Sequence, residues 1–321
     1  MTFYLKYRPQ TIDDLNIVSV RETLKKIVDS GSIPHALLFS GVRGTGKTST
    51  ARIIAKVINC EDKAKPCGKC ESCLSISNGT NIDVIEMDAA SNRGIDDIRS
   101  LKDAVKLTPA KSKAKVYIID EAHMLTLEAS NALLKTLEEP PLHVYFILAT
   151  TNSEKLIETI KSRTTEVIFT KATSEEIKES LERIIKSEKI KIKLEDLEKI
   201  IKQAKGSFRD AVKLLETYSK DNSIFENNNF FDLGEFTVNL IKKDREKSFE
   251  ILKKAVSSGI SIDYIVDNIL ENLQQLLVSS TEKGKVVVPL IEEILKQQEF
   301  AKYSPIDELP LQIAISKWCE S

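Results

Sequence analysis

The chain has 321 residues, 41% hydrophobic and 30% charged, and its 47 Lys and Arg nearly balance its 48 Asp and Glu. This length predicts two or three modules, and the near-neutral charge excludes a global basic field, so any nucleic-acid contact must come from a local patch. No apolar run approaches the roughly 20 residues of a membrane span, and "MTFYLKYRPQ" has no signal-peptide apolar core. A cytoplasmic protein without a membrane partner is expected, its thiols kept reduced.

From Pro34 to about Thr170, short apolar runs alternate with helical stretches. Strands are predicted over "HALLFSG" (35–41), "DVIEMD" (83–88), "KVYIID" (115–120), "VYFILATT" (144–151) and "TEVIFT" (165–170). Patterns such as "KTSTARIIAKVIN", "IDDIRSLKDAVKL" and "LEASNALLKTLEE" lie between them. Apolar strands separated by helices predict an α/β, doubly wound parallel sheet covered on both faces.

The first strand runs into "GVRGTGKT", Gly41 to Thr48, which fits G-x-x-x-x-G-K-[ST] and precedes a helix, as a phosphate loop requires. Gly41, Gly44 and Gly46 let backbone N–H groups turn inward around phosphate oxygens at a positive helix end, with Thr45 and Ser49 beside them. Lys47 is placed for the β- and γ-phosphates, and the Thr48 hydroxyl for Mg²⁺.

Directly after that helix, Cys60, Cys67, Cys70 and Cys73 follow the pattern C-x6-C-x2-C-x2-C, with Pro66 and Gly68 turning the chain between them. Four thiolates suit tetrahedral Zn²⁺ in a closed, non-catalytic site. An iron–sulfur cluster takes the same ligands, and the spacing admits it too. The helix after "DAASNRG" carries Arg99, Lys102 and Lys106 on one face, with Arg93 just before it. The stripe suits phosphate tracking, but Asp96 and Asp103 lie within a turn of Arg99 and equally suit a salt-laced solvated face.

"VYIIDEAH" ends a strand in Asp120, a carboxylate for the metal, followed by Glu121, which can polarise a water. Binding alone does not need that second carboxylate, so the pair favours hydrolysis. His123 has no evident partner in the sequence and is read as structural.

Beyond Lys171 the strand signals stop. "TSEE" predicts a capping box from Thr173 to Glu176, and two further helices follow, the last capped by Ser207 in "GSFRD". Arg209 falls in the first turn of that helix, where the dipole disfavours a cation. It gains either by facing an anion such as a phosphate or by pairing with Asp210 or Glu216. "SKDNSIFENNNFFDLGEF" (219–236) reads as a linker. The stripe Ile262, Ile265, Val266, Ile269, Leu270, Leu273, Leu276 and Leu277 predicts an all-helical third module with apolar surface left over for self-association.

The phosphate loop, the four-cysteine insertion after its helix, "DAASNRGIDDIR", "VYIIDEAHMLTLEASNALLKTLEEPP", "FILATTNSEKLIETIKSR" and "GSFRDAV" together resemble one family. It is the gamma/tau family of bacterial DNA polymerase III, the AAA+ ATPase motor subunits of the sliding-clamp loader. The resemblance spans about Tyr4 to Tyr218; beyond it, only helical character and module position match. It implies an ATPase core over 1–170 with a zinc module at 60–73, a helical lid over 171–222 and an all-helical collar over 223–321. It implies an ATPase using ATP, Mg²⁺ held by Thr48 and Asp120, and Zn²⁺ held by Cys60, Cys67, Cys70 and Cys73, within the polymerase holoenzyme but without polymerase chemistry of its own. The implied partners are delta, delta-prime and further gamma/tau subunits, the sliding clamp and primer–template DNA.

By motif position, Thr151 is implied to sense the γ-phosphate, Arg209 to contact it from the lid, and Arg163 to be the arginine finger serving a neighbouring subunit. Tyr7, Arg8 and Pro9 are implied at the adenine site, and Arg93 and Arg99 toward the DNA backbone. Ile17 and Val18 depart from the usual Gly-Gln pair, Thr164 from the usual cysteine after Ser-Arg, and the third module is shorter than expected. The chain also stops where the longer family form continues into polymerase- and helicase-binding segments, so those couplings are expected to be missing. The alternative within the family is a non-hydrolysing structural subunit resembling delta-prime, against which Lys47, Thr48, Asp120 and Glu121 stand.

Overall fold

The structure, a computed structural model, describes residues 2–92, 94–220, 233–257, 261–279, 281–301 and 304–320, without the side chains of 95–97, 233, 279 and 281–285. Arg93 and most of the expected linker, 221–232, lie outside the described residues. The chain forms two compact units, Met1–Lys220 and Asp221–Ser321.

The first unit is built on five parallel strands, β1 (Ala36–Gly41), β2 (Val84–Asp88), β3 (Lys115–Asp120), β4 (Val144–Thr150) and β5 (Thr165–Phe169), in the order β2-β3-β4-β1-β5. The central strands are buried along nearly their whole length: Leu37, Leu38, Val116, Ile118, Phe146 and Ile147 are sealed from solvent. Both faces are covered, which is why these strands read as apolar runs instead of alternating patterns. All five predicted strands form, each within a residue of its expected bounds.

Short helix α1 (Phe3–Lys6) and α2 (Val18–Asp29) precede β1; α3 (Lys47–Asn59) and α4 (Glu71–Asn78) separate β1 from β2. Helices α5 (Ile95–Val105), α6 (Leu127–Glu138) and α7 (Glu158–Lys161) precede β3, β4 and β5 in turn. Register places Ser40 beside Thr150 and Asp88 beside Asp120, so the loop-bearing carboxyl ends of the strands open on one edge. That edge is where open α/β sheets bind ligands.

Helices α8 (Ser174–Glu188), α9 (Leu194–Gln203) and α10 (Phe208–Lys220) complete the unit. The predicted capping box forms in full: the Glu176 amide donates to Thr173 Oγ1 at 3.2 Å, and the Thr173 amide to Glu176 Oε2 at 2.9 Å. Ser207 Oγ likewise accepts from the Asp210 amide at 3.3 Å at the start of α10.

The second unit is all-helical, with helices Leu233–Ile241, Arg245–Ser257, Ile262–Ser279, Thr281–Ala301 and Leu309–Glu320. The expected surplus of apolar surface is largely absent, because Ile265, Val266, Ile269 and Leu273 are buried in this unit's own core and Ile262, Leu270 and Leu276 pack against it. Of the predicted stripe, Leu277 stays exposed, at 37%. Two faces of one helix are used by neighbours on either side, which a stripe read in isolation does not reveal. Trp318 anchors this core and donates its indole N–H to the Leu240 carbonyl at 2.6 Å.

Asp83, just before β2, holds the loop entering β3. Its carboxylate accepts from the amides of Ala110, Lys111 and Ser112, each at 2.8 Å, while the residue is 1% exposed. Burial alone pushes such a carboxyl up, but the backbone donors outweigh it and hold Asp83 below the usual carboxylate range. This stabilisation is complete above the unfolded value of about 3.9 and is lost as pH falls through the lowered folded value. Asp83→Ala is expected to cost about 3–5 kcal/mol, and Asp83→Asn to flatten the decline in thermal stability below about pH 4. Unfolding curves from pH 2 to 6 measure both, and an unchanged acid profile in Asp83→Asn contradicts the assignment.

Candidate active site

The phosphate loop joins β1 to α3 and packs against two elements distant in sequence. A Cβ on Gly41 (φ +137°) would lie 2.0 Å from the Phe169 carbonyl oxygen, and one on Gly44 (φ +80°) 2.1 Å from Ser207 Oγ. The glycines are thus needed for close approach to β5 and α10 as well as for the turn itself. The Arg209 amide meets the Gly44 carbonyl at 3.4 Å, so the loop and the start of α10 are in register.

Lys47 is 6% exposed, and its Nζ donates to the carbonyls of Gly41 at 2.7 Å and Val42 at 2.9 Å. Burial pushes its pKa below the ordinary lysine value, an effect that the Glu121 and Asp120 carboxylates oppose. Thr48 Oγ1 donates to Asp120 Oδ2 at 2.7 Å, joining the loop to the end of β3. Asp120 Oδ1 accepts the Glu121 amide at 3.0 Å. Two oxygens of the hard kind that Mg²⁺ prefers are thus side by side.

Glu121 adopts a left-handed backbone (φ +49°), a conformation that costs a non-glycine residue energy and persists where its surroundings over-determine it. Its Oε2 accepts from Thr151 Oγ1 at 2.8 Å and from the Thr151 amide at 3.3 Å. The two sequence-predicted residues are therefore in direct contact. His123, expected to be structural, belongs to the same cluster: its Nδ1 is 2.9 Å from Thr150 Oγ1 and 3.4 Å from Glu121 Oε2. Its partner lies 27 residues further on, across a strand boundary, so nothing local signalled it.

These residues wall a cavity of about 600 Å³. Among the sequence-predicted residues, Tyr7, Arg8, Pro9, Gly44, Thr45, Gly46, Lys47, Thr48, Ser49, Asp120, Glu121, Thr151 and Arg209 all border it. The Tyr7 hydroxyl donates to Glu188 Oε1 at 2.6 Å and lies 2.9 Å from Ser187 Oγ. Arg8 has its pKa lowered by burial and then by nearby Arg52, with Arg209 contributing, the electrostatics of a pocket that favours an anion. Arg209 sits 5.2 Å over the Tyr4 ring, and neither Asp210 nor Glu216 pairs with it. Tyr4, Asn16 and Ser180 also border the cavity and were not singled out from the sequence.

Arg163 is elsewhere. Its guanidinium is tied to Glu138 Oε1 and donates to the Thr159 carbonyl at 2.8 Å, and it does not border the cavity. Arg99 is exposed on α5, and Lys106 pairs with Asp103 at 2.9 Å, so that end of the basic stripe is ion-paired.

The four cysteine sulfurs lie within 4.8 Å of one another. Around a tetrahedral ion with bonds of about 2.3 Å, sulfurs sit about 3.8 Å apart, so the set fits. The amides of Cys67, Cys70 and Cys73 approach the sulfurs of Cys60, Cys67 and Cys70 at 3.4, 3.3 and 3.4 Å. Amide donors from Lys69 and Cys70 bring the Cys67 thiol down to about 6, whereas burial pushes Cys73 up to about 12. Four thiolates together therefore require a cation.

Fold and site define a phosphate-loop nucleotide-binding module of the AAA+ class. Its architecture is similar to that of the Thermotoga maritima RuvB Holliday junction branch migration motor, at a TM-score of 0.51 and 18% identity, over 85% of this chain and 79% of that one. Residues 18–173 match the family described as "DNA polymerase III, delta subunit". The chain is 37% identical to the DNA polymerase III subunit tau of Bacillus subtilis, over 96% of its own length and 56% of the relative's. It is 36% identical to subunit tau of Escherichia coli, over 95% and 50%, and 42% identical to subunit gamma/tau of Mycoplasma genitalium, over 80% and 43%. The chain is a homologue of the DNA polymerase III gamma/tau subunits, and it spans about half the length of the curated relatives it matches.

The cysteine cluster predicts one tetrathiolate metal ion per chain. Cys73→Ser is expected to lose that ion, as read by elemental analysis and by the Co²⁺–thiolate spectrum, and to lower thermal stability. Full metal content in the variant contradicts the ligand set.

Proposed function

We propose that the chain is an ATP-hydrolysing motor subunit of a bacterial sliding-clamp loader, working in the cytoplasm within the DNA polymerase III holoenzyme. The observation that carries the proposal is the convergence of Lys47, Thr48, Asp120, Glu121 and Thr151 on one cavity, in a homologue of the gamma/tau subunits. Lys47 exchanges its loop carbonyls for the β- and γ-phosphates of ATP. Thr48 and Asp120 would hold Mg²⁺, which would supply charge to offset that of the phosphates. Glu121, released from Thr151, orients the attacking water; Thr151 and Arg209 read the γ-phosphate from the sheet and the lid.

Arg163 serves the site of an adjacent subunit, a role supported by its distance from its own cavity wall and its fixed, half-buried setting beside Glu138. Residues 171–222 act as the lid, and 223–321 as the collar through which delta, delta-prime and other gamma/tau copies assemble. ATP binding then shapes the ring to open the clamp on primer–template DNA, with Arg93 and Arg99 facing the DNA backbone. The cysteine cluster holds Zn²⁺ in a closed site and takes no part in the reaction. A non-hydrolysing, delta-prime-like role would leave Glu121 and the Thr48–Asp120 pair without purpose.

ATP turnover is the test. The isolated chain is expected to hydrolyse slowly, and turnover to rise when partner subunits, clamp and primed DNA are added in sequence. Arg163→Ala should retain ATP binding and reduce turnover of the assembly by about 10³-fold or more. Absent turnover, or turnover indifferent to clamp and primed DNA, rejects the motor role; undiminished turnover in the variant rejects the finger.

A further inference from the structure

Tyr7–Pro9 and Leu15–Ile17 border the cavity, but the stretch between them, 10–14, does not. Thr11, Ile12 and Asp13 instead border a separate crevice of about 400 Å³, whose other side includes the cysteine loop at Lys65–Cys67. Two pieces of the cavity wall are thus joined by a turn that is seated on the cysteine module.

Two residues hold Gln10, at the head of that turn. Lys56, in the last turn of α3 and 2% exposed, donates to the Gln10 carbonyl at 2.7 Å, to Gln10 Oε1 at 2.9 Å and to Ser77 Oγ at 3.4 Å. Ser77, in α4, donates to the same Oε1 at 3.1 Å. Lys56 lies four residues before Cys60, and Ser77 four residues after Cys73, a helical spacing that puts neighbours on one face. Cys70 caps α4, its sulfur accepting from the Cys73 amide. An ion that fixes Cys60, Cys70 and Cys73 therefore fixes both helix ends that grip Gln10.

Charge links the same residues. All three described acceptors of the Lys56 ammonium are neutral, and a buried cation is costly without an opposing charge. Burial pushes its pKa down, and Cys73, ahead of Asp14, opposes that shift. Asp14 is already committed to the turn, its Oδ2 accepting from the Gln10 amide at 3.1 Å and the Thr11 amide at 2.9 Å. A divalent ion with four thiolates is a dianion, and at the cysteine cluster it would supply the opposing charge.

Resting on the nucleotide and metal readings above, we propose that Lys56 and Ser77 are positioning residues that couple metal occupancy of the cysteine cluster to nucleotide affinity, acting through Gln10 and the cavity wall on either side of it.

The test is equilibrium binding of ATP with Mg²⁺ to the whole purified chain, kept reduced, in three states: with its metal, stripped by a chelator, and reloaded with Zn²⁺. Stripping the wild type should weaken ATP binding about fivefold or more, and reloading should restore it. Lys56→Met, which keeps the buried length without the charge, should bind ATP weakly even when loaded with Zn²⁺, and stripping it should change nothing further. Ser77→Ala should narrow the difference between loaded and stripped protein. Equal ATP affinity with and without metal, in a wild type that circular dichroism shows to be folded, overturns the inference. So does wild-type ATP affinity in Zn²⁺-loaded Lys56→Met, a result that needs no stripped chain to stay folded, and so does a metal effect undiminished in both variants. A metal-loaded wild type that binds no ATP overturns the nucleotide-binding reading, and a chain that takes up no Zn²⁺ overturns the metal reading; each is a separate result that removes this inference with it.

Discussion

The 2.7 Å hydrogen bond from Thr48, at the start of α3, to Asp120 ties β3 to the helix that follows β1, a strand that is not its neighbour. β1 and β3 flank β4, so the bond spans the end of an intervening strand, and all three must finish level. Pairing Ser40 with Thr150, and Ile119 with Leu148, supplies that alignment. A one-residue slip in either ladder would turn Asp120 to the other face of the sheet and dismantle the cluster. The buried, nearly continuous apolar strands fix the register, and the register places two oxygen ligands together beside a lysine that burial has made easier to discharge. Thr151 follows from the same alignment: it leaves β4 between the two motif strands, the position from which it reaches Glu121.

The other side of the cavity depends on contacts very far apart in sequence. The Phe3 amide donates to Glu216 at 2.9 Å, Lys6 pairs with Glu188 at 2.6 Å, and Tyr4 lies beneath Arg209. With bonds from Asn16 to Ser180 and from Val18 to Glu176, nearly the whole N-terminal segment is fastened to α8 and α10. A second set of bonds holds it to the core: Lys56, 2% exposed, donates to the Gln10 carbonyl at 2.7 Å, and Ser77 of α4 donates to the Gln10 side chain at 3.1 Å. The segment therefore bridges the cysteine-bearing region and the helical part of the unit. Such a strap ties the phosphate-loop side of the cavity, at Gly44 and Arg209, to the segment that walls its other side.

Much of this was legible in the sequence because the governing interactions are local. The strands announced themselves by burial on both faces, the capping box by a Thr–Glu spacing of three, and the phosphate loop and cysteine cluster by residues close enough in the chain for spacing to stand in for geometry. What could not be read were pairings that only the fold creates. Strand order, the His123–Thr150 contact and the Asn16–Ser180 bond, 164 residues apart, leave no periodic or motif signal. The stripe at Ile262–Leu277 misled for the same reason: its width shows how many partners a helix has, but not whether they belong to its own unit.

In the proposed mechanism, Thr48 and Asp120 form the metal-dependent half of an ATP site. Affinity for ATP in the presence and absence of Mg²⁺, in the wild type and in Asp120→Ala, tests it most directly. Binding tightened by Mg²⁺ in the wild type, with that gain lost in the variant, is expected from the geometry. Equal ATP affinity with and without Mg²⁺, or a gain that survives the loss of Asp120, would contradict it.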